Sequence, residues 1–150
     1  MKKFILAIAT GFGTGYSPAA SGTVGSFLAM LIYWFVFPTN PAWVAVIALA
    51  VTAISVYTGG EAEKIFNSRD DSRIVIDEFA GFYVSVLFLP KTVIFTIAAF
   101  LLFRLFDVIK PFFVNNVQNW RGGWGVTFDD VFAGMFANII LQLIRYFFFR

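Results

Sequence analysis

Long apolar runs alternate with short polar connections along most of the chain. No charged side chain occurs from Phe4 to Gly60, and Lys91 is the only one between Glu78 and Arg104. A helix that crosses the hydrocarbon core of a bilayer needs roughly 20 residues, with about 17 as the short limit. Segments near that limit are predicted to form about five short membrane-embedded helices, at residues 23–37, 41–58, 74–89, 92–109 and 130–149.

Proline-containing breaks pair these predicted helices. The sequences PTNP at residues 38–41 and LPK at residues 89–91 allow only tight connections, because proline ends a helix. The first two helices therefore form one predicted hairpin, and the third and fourth form another. The chain is expected to be a single all-α domain over residues 1–150, a polytopic helical membrane protein without internal repeats.

Composition supports this fold class and limits the chemistry. Hydrophobic residues make up 59% of the chain and charged residues only 13%, far from the average of soluble proteins. The absence of Cys and His excludes disulfides, thiol nucleophiles, phosphohistidine chemistry and the usual zinc sites. A net charge of +2 without a basic stripe gives no reason to expect a nucleic-acid partner. The apolar stretch after Met-Lys-Lys is too short for a cleaved signal peptide.

All acidic residues fall on one side of the predicted topology. If the first and third helices enter from the same side, the longer connections at residues 10–22, 59–73 and 110–129 share one face. The nine acids lie in these connections or within about a turn of them: Glu61, Glu63, Asp70, Asp71, Asp77, Glu78, Asp107, Asp129 and Asp130. Eight of the eleven cations accompany them, whereas Lys91, Arg145 and Arg150 lie toward the other end. The positive-inside bias therefore predicts that the acidic face is cytoplasmic.

Asp77 and Glu78 lie directly against the apolar run RIVIDEFAGFYVSVLFLP, residues 73–90. Adjacent residues diverge by about 100° on a helix, so both can reach one ligand only if the site is wide. One carboxylate is then expected to hold a metal while the other orients it or pairs with a cation. The alternative is a helix-start pair favoured by the macrodipole. Carboxylates at membrane depth usually have a function, which favours the metal.

The segment FRLFDVIKP, residues 103–111, places Arg104, Asp107 and Lys110 at successive i, i+3 spacings. Asp107 is a predicted metal ligand, and Lys110 or Arg104 would bind a phosphate, which suits both residue types. The alternative is an ion-paired helix end without chemistry.

The segment RGGWGVTFDDVFAG, residues 121–134, combines a glycine-rich turn with two adjacent acids. Thr127 and Asp130 fit a capping box that opens the last helix. A cap does not explain Asp129, so the pair Asp129 and Asp130 is predicted to supply a magnesium ligand as well.

The first polar loop, residues 10–26, is rich in Gly, Ser and Thr. Its backbone amides and hydroxyls, including those of Thr23 and Ser26, could cradle phosphate oxygens together with a helix N-terminus. The loop lacks the Lys of a Walker A motif, and a flexible interfacial loop would have a similar composition.

Carboxylates without His or Cys favour Mg²⁺, with Mn²⁺ as the alternative, over zinc. Metal-assisted phosphate chemistry needs several carboxylates together with basic groups, and both are present. Their position at a membrane face predicts a metal-dependent enzyme that acts on a lipid phosphate headgroup. A non-enzymatic cation-binding or transport protein is the alternative, but transport favours ionisable residues throughout the membrane depth.

Four segments in order resemble the phosphatidylglycerophosphatase A family of bacterial inner membranes: GFGTGYSPAASGTVGS, SRIVIDEFAG, FRLFDVIKP and RGGWGVTFDDVFAG. The resemblance implies Mg²⁺-dependent hydrolysis of phosphatidylglycerophosphate to phosphatidylglycerol and phosphate, the last step in making that lipid. It also implies a multi-pass protein surrounded by membrane lipids, with a cytoplasmic active site. Another lipid phosphate, such as a polyprenyl phosphate, is the alternative substrate.

The same resemblance assigns roles to residues. The family's acids fall on Glu61, Asp70, Asp77, Glu78, Asp107, Asp129 and Asp130, with Lys110 and Arg104 beside them. Mg²⁺ held by these carboxylates would bind the terminal phosphate and activate a water for in-line attack, while Glu61 and Asp70 complete the metal shell or position the water. An aspartyl-phosphate intermediate is the alternative route. Ser21 departs from the proline that the family pattern leads us to expect, which affects the expected substrate fit more than the reaction type.

Overall fold

The computed structural model describes residues 1–109 and 122–148, and this part of the chain contains six α-helices and no strand. The elements are α1 (Lys2–Ala9), a 3₁₀ turn (Thr14–Tyr16), α2 (Ser21–Val36), α3 (Pro41–Phe66), α4 (Ile76–Ser85), α5 (Val93–Ile109) and α6 (Gly123–Phe148). The all-α prediction is confirmed. The five predicted helices correspond to α2 through α6, whereas α1 was not predicted.

Fewer helices are long enough to cross a membrane than the sequence led us to expect. Within residues 1–109 and 122–148, only α3 and α6, with 26 residues each, are both long and apolar enough. Helices α2, α4 and α5 have 16, 10 and 17 residues. The prediction of five membrane helices is therefore supported for two. Helix α4 ends at Ser85 because the following residues turn, with Phe88 at a positive φ of 59°.

Large apolar side chains cover the outer surfaces of several helices. Leu49 of α3 is 73% exposed, Leu101 of α5 is 59% exposed and Leu143 of α6 is 53% exposed. Contiguous apolar surface of this kind marks contact with a membrane or a partner rather than with water. Together with the two long apolar helices, it indicates membrane association.

Helices α3 and α6 both extend further than predicted, through a close crossing at glycines. A Cβ atom on Gly60 would lie 2.9 Å from the backbone nitrogen of Gly123, and one on Gly123 would overlap the carbonyl oxygen of Val56. Glycine weakens an isolated helix, but here it permits backbone contact between two helices. Helix α3 therefore continues past residue 58 to Phe66, and α6 begins at Gly123.

The predicted capping box is consequently wrong. Thr127 lies inside α6 rather than before its first turn, and it is 1% exposed. Its Oγ1 is 2.7 Å from Oγ of Ser55 in α3, a hydrogen bond that joins the two long helices. The hydroxyl thus stabilises helix packing.

Helix α4 lies at the centre of the described structure and packs against α2, α3, α5 and α6. Eight of its ten residues are buried. Phe82 and Tyr83 contact the aromatic rings of Tyr33 and Phe37, which belong to and follow α2. This packing fixes α4, so the first turn of a short buried helix presents its side chains to the other helices.

Candidate active site

An open polar cavity of about 440 Å³ lies at one end of the helices. The first two turns of α2, α4 and α6 and the last turns of α5 line it, together with the segments before α2 and α4. Its polar lining residues are Ser17, Ser21, Gly22, Asp70, Asp71, Ser72, Asp77, Glu78, Arg104, Asp107, Asp129 and Asp130. The structure therefore brings together most of the acids that the sequence placed on one face.

Three carboxylates converge on one point of this cavity. One oxygen from each of Asp77, Glu78 and Asp130 lies within 4.8 Å of the other two. Asp77 and Glu78 occupy the first turn of α4. The sequence predicted that their side chains diverge by about 100°, yet both reach the same place, because the cavity is wide and the glutamate side chain is longer.

Asp130 reaches the pair through a second close helix crossing. A Cβ atom on Gly81 of α4 would lie 2.6 Å from the carbonyl oxygen of Asp130, and one on Gly134 of α6 would overlap the carbonyl oxygen of Gly81. Any larger residue at these positions would force α4 and α6 apart. The two glycines therefore set the separation between Asp130 and the first turn of α4.

The converging carboxylates lack protein partners for part of their hydrogen-bonding capacity. Oδ1 of Asp77, Oε2 of Glu78 and Oδ2 of Asp130 are buried oxygens with no hydrogen-bond partner within the described residues. Burial, reinforced by the charge of Glu78, raises the pKa of Asp77 well above its usual range. Burial, reinforced by Asp130, raises the pKa of Glu78 to about 8. A bound divalent cation would compensate these carboxylates, since oxygen ligands of this type suit Mg²⁺.

Arg104 supplies the positive charge of the cavity. Its Nη1 lies 2.6 Å from Oδ2 of Asp107, 4.0 Å from Oε1 of Glu78 and 3.3 Å from Oγ of Ser26. The i, i+3 pairing of Arg104 with Asp107 predicted from the sequence is confirmed. The side chain is 17% exposed, and its buried Nε has no partner within the described residues. The guanidinium is thus held in place and retains a free donor, which is an arrangement suited to an anionic ligand.

Of the other acids predicted for the site, two line the cavity and one does not. Asp129 lines it and is 5% exposed, and Asp70 lines it from an exposed position before α4. Glu61 does not line it. Its carboxylate instead pairs with Lys64 at 2.6 Å on the surface of α3. The metal-binding role of these three acids stays a prediction.

The hydroxyls that were predicted to bind phosphate lie outside the cavity lining. Residues 21–26 of the first polar loop form the start of α2, and neither Thr23 nor Ser26 lines the cavity. Ser26 is fully buried, and its Oγ accepts a hydrogen bond from Nη1 of Arg104. Their direct role at phosphate stays a prediction. Lys110, Arg121 and Arg150 lie outside the described residues.

Sequence reasoning missed several residues at the mouth of the cavity. Ser21 and Ser72 both line the cavity, and Ser21 Oγ donates to the carbonyl oxygen of Ser72 at 2.6 Å. A Cβ atom on Gly22 would overlap Oε1 of Glu78, so a larger residue there would displace the glutamate carboxylate. The Ser-Gly step before an apolar run was visible in the sequence, but its contact with Glu78 depends on tertiary structure.

Asp71 also lines the cavity, but its charge is already compensated. The Nε and Nη2 atoms of Arg73 each donate to its carboxylate at 2.7 Å. Hydrogen bonding from Arg73 lowers the pKa of Asp71. Asp71 therefore differs from the three converging carboxylates, of which only Glu78 approaches a cation within the described residues, at 4.0 Å from Arg104.

Comparisons with known proteins show the family to which this chain belongs. A family model described as Phosphatidylglycerophosphatase A matches residues 7–145. A protein of Bacteroides thetaiotaomicron named "Putative phosphatidylinositol-3-phosphatase" is 37% identical, over 93% of this chain and 92% of the relative. No solved structure matches.

Two relatives carry the family's own name. The phosphatidylglycerophosphatase A of Escherichia coli is 34% identical, over 91% of this chain and 81% of the relative. That of Haemophilus influenzae is 30% identical, over 93% of this chain and 87% of the relative. The family match covers every described residue that lines the cavity. The chain therefore belongs to the phosphatidylglycerophosphatase A family and is an enzyme of the phosphatase class.

Proposed function

We propose that this protein is a Mg²⁺-dependent lipid phosphatase that hydrolyses phosphatidylglycerophosphate to phosphatidylglycerol and inorganic phosphate in phospholipid biosynthesis. The observation that carries the proposal is the convergence of Asp77, Glu78 and Asp130 beside Arg104 in an open cavity. The names of two relatives support the substrate. The exposed apolar faces of the long helices support a membrane-bound substrate.

The carboxylates fit a hard divalent cation. Three of their buried oxygens have no hydrogen-bond partner among residues 1–109 and 122–148, the chain has no His or Cys to offer as a ligand, and the site opens to solvent. Asp77, Glu78 and Asp130 would hold the ion, with Asp107 and Asp129 beside them. When bound, Mg²⁺ supplies a Lewis acid for the phosphate and lowers the pKa of a water molecule.

The remaining side chains prepare the cavity for a phosphate monoester. Arg104 offers charge and a free N–H donor, and Asp107 orients its guanidinium. The N-terminus of α2, at Ser21 and Gly22, lines the cavity, and the N-terminal turn of a helix favours an anion. In the reaction, a water oxygen bonds to phosphorus, the ester P–O bond breaks, and the lipid alcohol leaves with a proton.

The proposed location is the bacterial inner membrane, with several helices embedded and the cavity facing the cytoplasm. In support, Lys91 and Arg145 donate to the carbonyl oxygens of Phe37 and Phe88, which follow α2 and α4, whereas Arg104 lines the cavity. The sequence predicts that eight of the eleven cations share the acidic face, and the positive-inside bias favours the cytoplasm for that face.

A second candidate substrate is phosphatidylinositol 3-phosphate. The relative that is 37% identical bears the name of a phosphatase for that lipid. Both substrates present a phosphate monoester on a glycerolipid, so the same carboxylates and Arg104 would serve either one.

The test is phosphate release in detergent micelles from three lipids: phosphatidylglycerophosphate, phosphatidylinositol 3-phosphate and a polyprenyl phosphate. Wild type, Asp77→Asn and the control Glu63→Gln are assayed with Mg²⁺ and with a chelator. Glu63 lies outside the cavity, and a glutamine there can still accept the hydrogen bond from the backbone N–H of Asp70.

We expect Mg²⁺-dependent hydrolysis of phosphatidylglycerophosphate that is lost in Asp77→Asn and retained in Glu63→Gln. Preference for another of the three lipids would contradict the substrate and leave the site intact. If folded wild type hydrolyses none of them, the phosphatase proposal is wrong, and cation binding without catalysis becomes the better account.

A further inference from the structure

A second cavity, an apolar groove of about 220 Å³, lies on the outer surface between α2 and α5. Its walls are formed by Met30, Leu31 and Trp34 of α2 and by Val93, Thr96 and Ile97 of α5. Its lining is almost entirely apolar, in contrast to the phosphate cavity. An apolar groove on a membrane-facing surface fits a hydrocarbon chain.

One polar residue, Thr96, belongs to this lining. Thr96 is 4% exposed, and its buried Oγ1 has no hydrogen-bond partner within the described residues. A helical threonine usually bonds to the carbonyl oxygen four residues earlier, so an unpartnered hydroxyl is unexpected. A buried hydroxyl without a partner costs free energy unless a ligand supplies one. An ester carbonyl of a lipid could accept this hydrogen bond.

The same two helices line both cavities, which fixes the distance between them. Gly22 of α2 lies at the phosphate cavity and Met30 lies at the groove, eight residues later, or about 12 Å along the helix. On α5, Arg104 lies at the phosphate cavity and Thr96 lies at the groove, also about 12 Å away. Along either helix, the groove therefore lies about 12 Å from the phosphate cavity, on the same side of it.

Contacts between α2 and α5 occupy the stretch of these helices between the two cavities. Arg104 bonds to Ser26 at 3.3 Å across the α2 and α5 interface, and the rings of Phe27 and Phe100 pack edge to face at 6.3 Å just below it. A lipid with its phosphate at Arg104 would pass over these rings before its chain reaches the groove.

We propose that the groove between α2 and α5 is the binding site for one acyl chain of the lipid phosphate substrate, with Thr96 donating a hydrogen bond to the lipid's ester region. This inference rests on the proposed lipid phosphatase function and names the part of the substrate that the phosphate cavity leaves unbound. It predicts that activity rises with acyl chain length, because a longer chain buries more apolar surface in the groove.

The first test measures binding without turnover. Phosphatidylglycerophosphate with a diazirine midway along one acyl chain is irradiated with the protein in detergent micelles and chelator, and labelled peptides are identified by mass spectrometry. We expect label in residues 30–35 and 93–97, and we expect excess unlabelled phosphatidylglycerophosphate, but not phosphatidylcholine with the same chains, to reduce it. Equal labelling of the exposed faces of α3 and α6, or equal competition by both lipids, would overturn the proposal.

The second test uses matched substitutions on α5. Ile97→Trp fills the groove, whereas Ile94→Trp places the same side chain on an exposed face outside it; Ile97 is 47% exposed and Ile94 is 67% exposed. We expect kcat/KM to rise at least about tenfold from six-carbon to sixteen-carbon chains, as expected for burial of several CH₂ groups. Ile97→Trp should remove that preference, and Ile94→Trp should preserve it.

Thr96→Val tests the hydroxyl, because it changes shape little. We expect KM for the long-chain substrate to rise about fivefold with kcat unchanged, the effect of one lost hydrogen bond. No dependence on chain length in wild type, or equal effects of both tryptophan substitutions, would overturn the acyl-chain site. The labelling result is read without hydrolysis, so it distinguishes failure of the groove from failure of the proposed reaction.

Discussion

The two ends of α4 differ in how their polar groups are satisfied. At its first turn, Asp77 and Glu78 bury carboxylate oxygens that have no hydrogen-bond partner in the described protein. Beyond its last turn, Nδ2 of Asn138 donates to the carbonyl oxygens of Ser85 and Leu87 at 3.0 and 2.8 Å. Helix α6 provides both Asp130, beside the first turn of α4, and Asn138, beside the last turn of α4.

This difference separates the part that binds a ligand from the part that stabilises the fold. A short helix in an apolar environment leaves its last carbonyl groups without partners unless side chains supply donors. Asn138 and Gln142 of α6 do so here. At the opposite end, burial without a partner costs free energy that only a ligand can offset. Substitutions at the two ends should therefore affect different properties.

The largest effect is expected from Asp130→Asn. Loss of a cation ligand should lower kcat/KM at least about 100-fold, since even groups that only support a metal ligand are worth 10–100-fold. In chelator, the thermal stability of the variant should equal or exceed that of wild type, because a buried uncompensated charge is removed. The measurements are phosphate release and thermal unfolding in detergent. A large loss of stability in chelator would show that Asp130 stabilises the fold.

Arg104→Lys should have the next largest effect on activity. Lysine keeps the positive charge but loses the fork of donors that serves Asp107, Ser26 and a phosphate. We expect kcat/KM to fall by on the order of 10²-fold, as for the loss of a transition-state donor. Steady-state kinetics at saturating Mg²⁺ test this. Full activity of the lysine variant would mean that only charge is needed.

At the other end of α4, Asn138→Leu should mainly destabilise the fold. The carbonyl oxygen of Ser85 loses its Asn138 donor and that of Leu87 keeps only Gln142, so the free energy of unfolding should fall by about 1–3 kcal/mol. Gln142→Leu removes one hydrogen bond, to Leu87, and should cost less. Activity per folded molecule should stay within about twofold of wild type, a change small beside the 10²-fold effects of lost donors at the reacting centre. A large activity loss at unchanged stability would contradict the division between the ends.

The smallest effect is expected where polar packing is remote from both ends. Ser55→Ala removes the hydrogen bond to Thr127 between α3 and α6. The free energy of unfolding should fall by about 1 kcal/mol, without a change in Mg²⁺ dependence. Thermal unfolding with and without Mg²⁺ measures both, and altered Mg²⁺ dependence would link this contact to the site.

Much of the helical order was predictable from hydropathy, but helix ends were not. Apolar runs located α2, α3, α5 and α6 because a membrane or a core requires them. The ends of α3 and α6 were misplaced because Gly60 was assigned to a polar connection and Gly123 to a glycine-rich turn, whereas their close backbone contact favours continued helix. Helix propensity describes a single segment, and tertiary packing overrides it.

The site was predictable in composition and only partly in geometry. The pairing of Arg104 with Asp107 follows from helical spacing and could be predicted. The convergence of Asp130 on Asp77 depends on the crossing at Gly81 and Gly134, which no spacing within one segment encodes. Because the position of Glu61 also depends on how the helices pack, the sequence could not show that it lies away from the cavity.

Cation binding by the converging carboxylates is the central claim, and Mn²⁺ titration followed by electron paramagnetic resonance tests it most directly. Wild type, Asp130→Asn and Glu63→Gln would be titrated in detergent without substrate. We predict that wild type and Glu63→Gln bind Mn²⁺ that Mg²⁺ displaces, and that Asp130→Asn binds it at least about tenfold more weakly. Equal Mn²⁺ affinity in all three proteins, or no binding by wild type, would contradict the account.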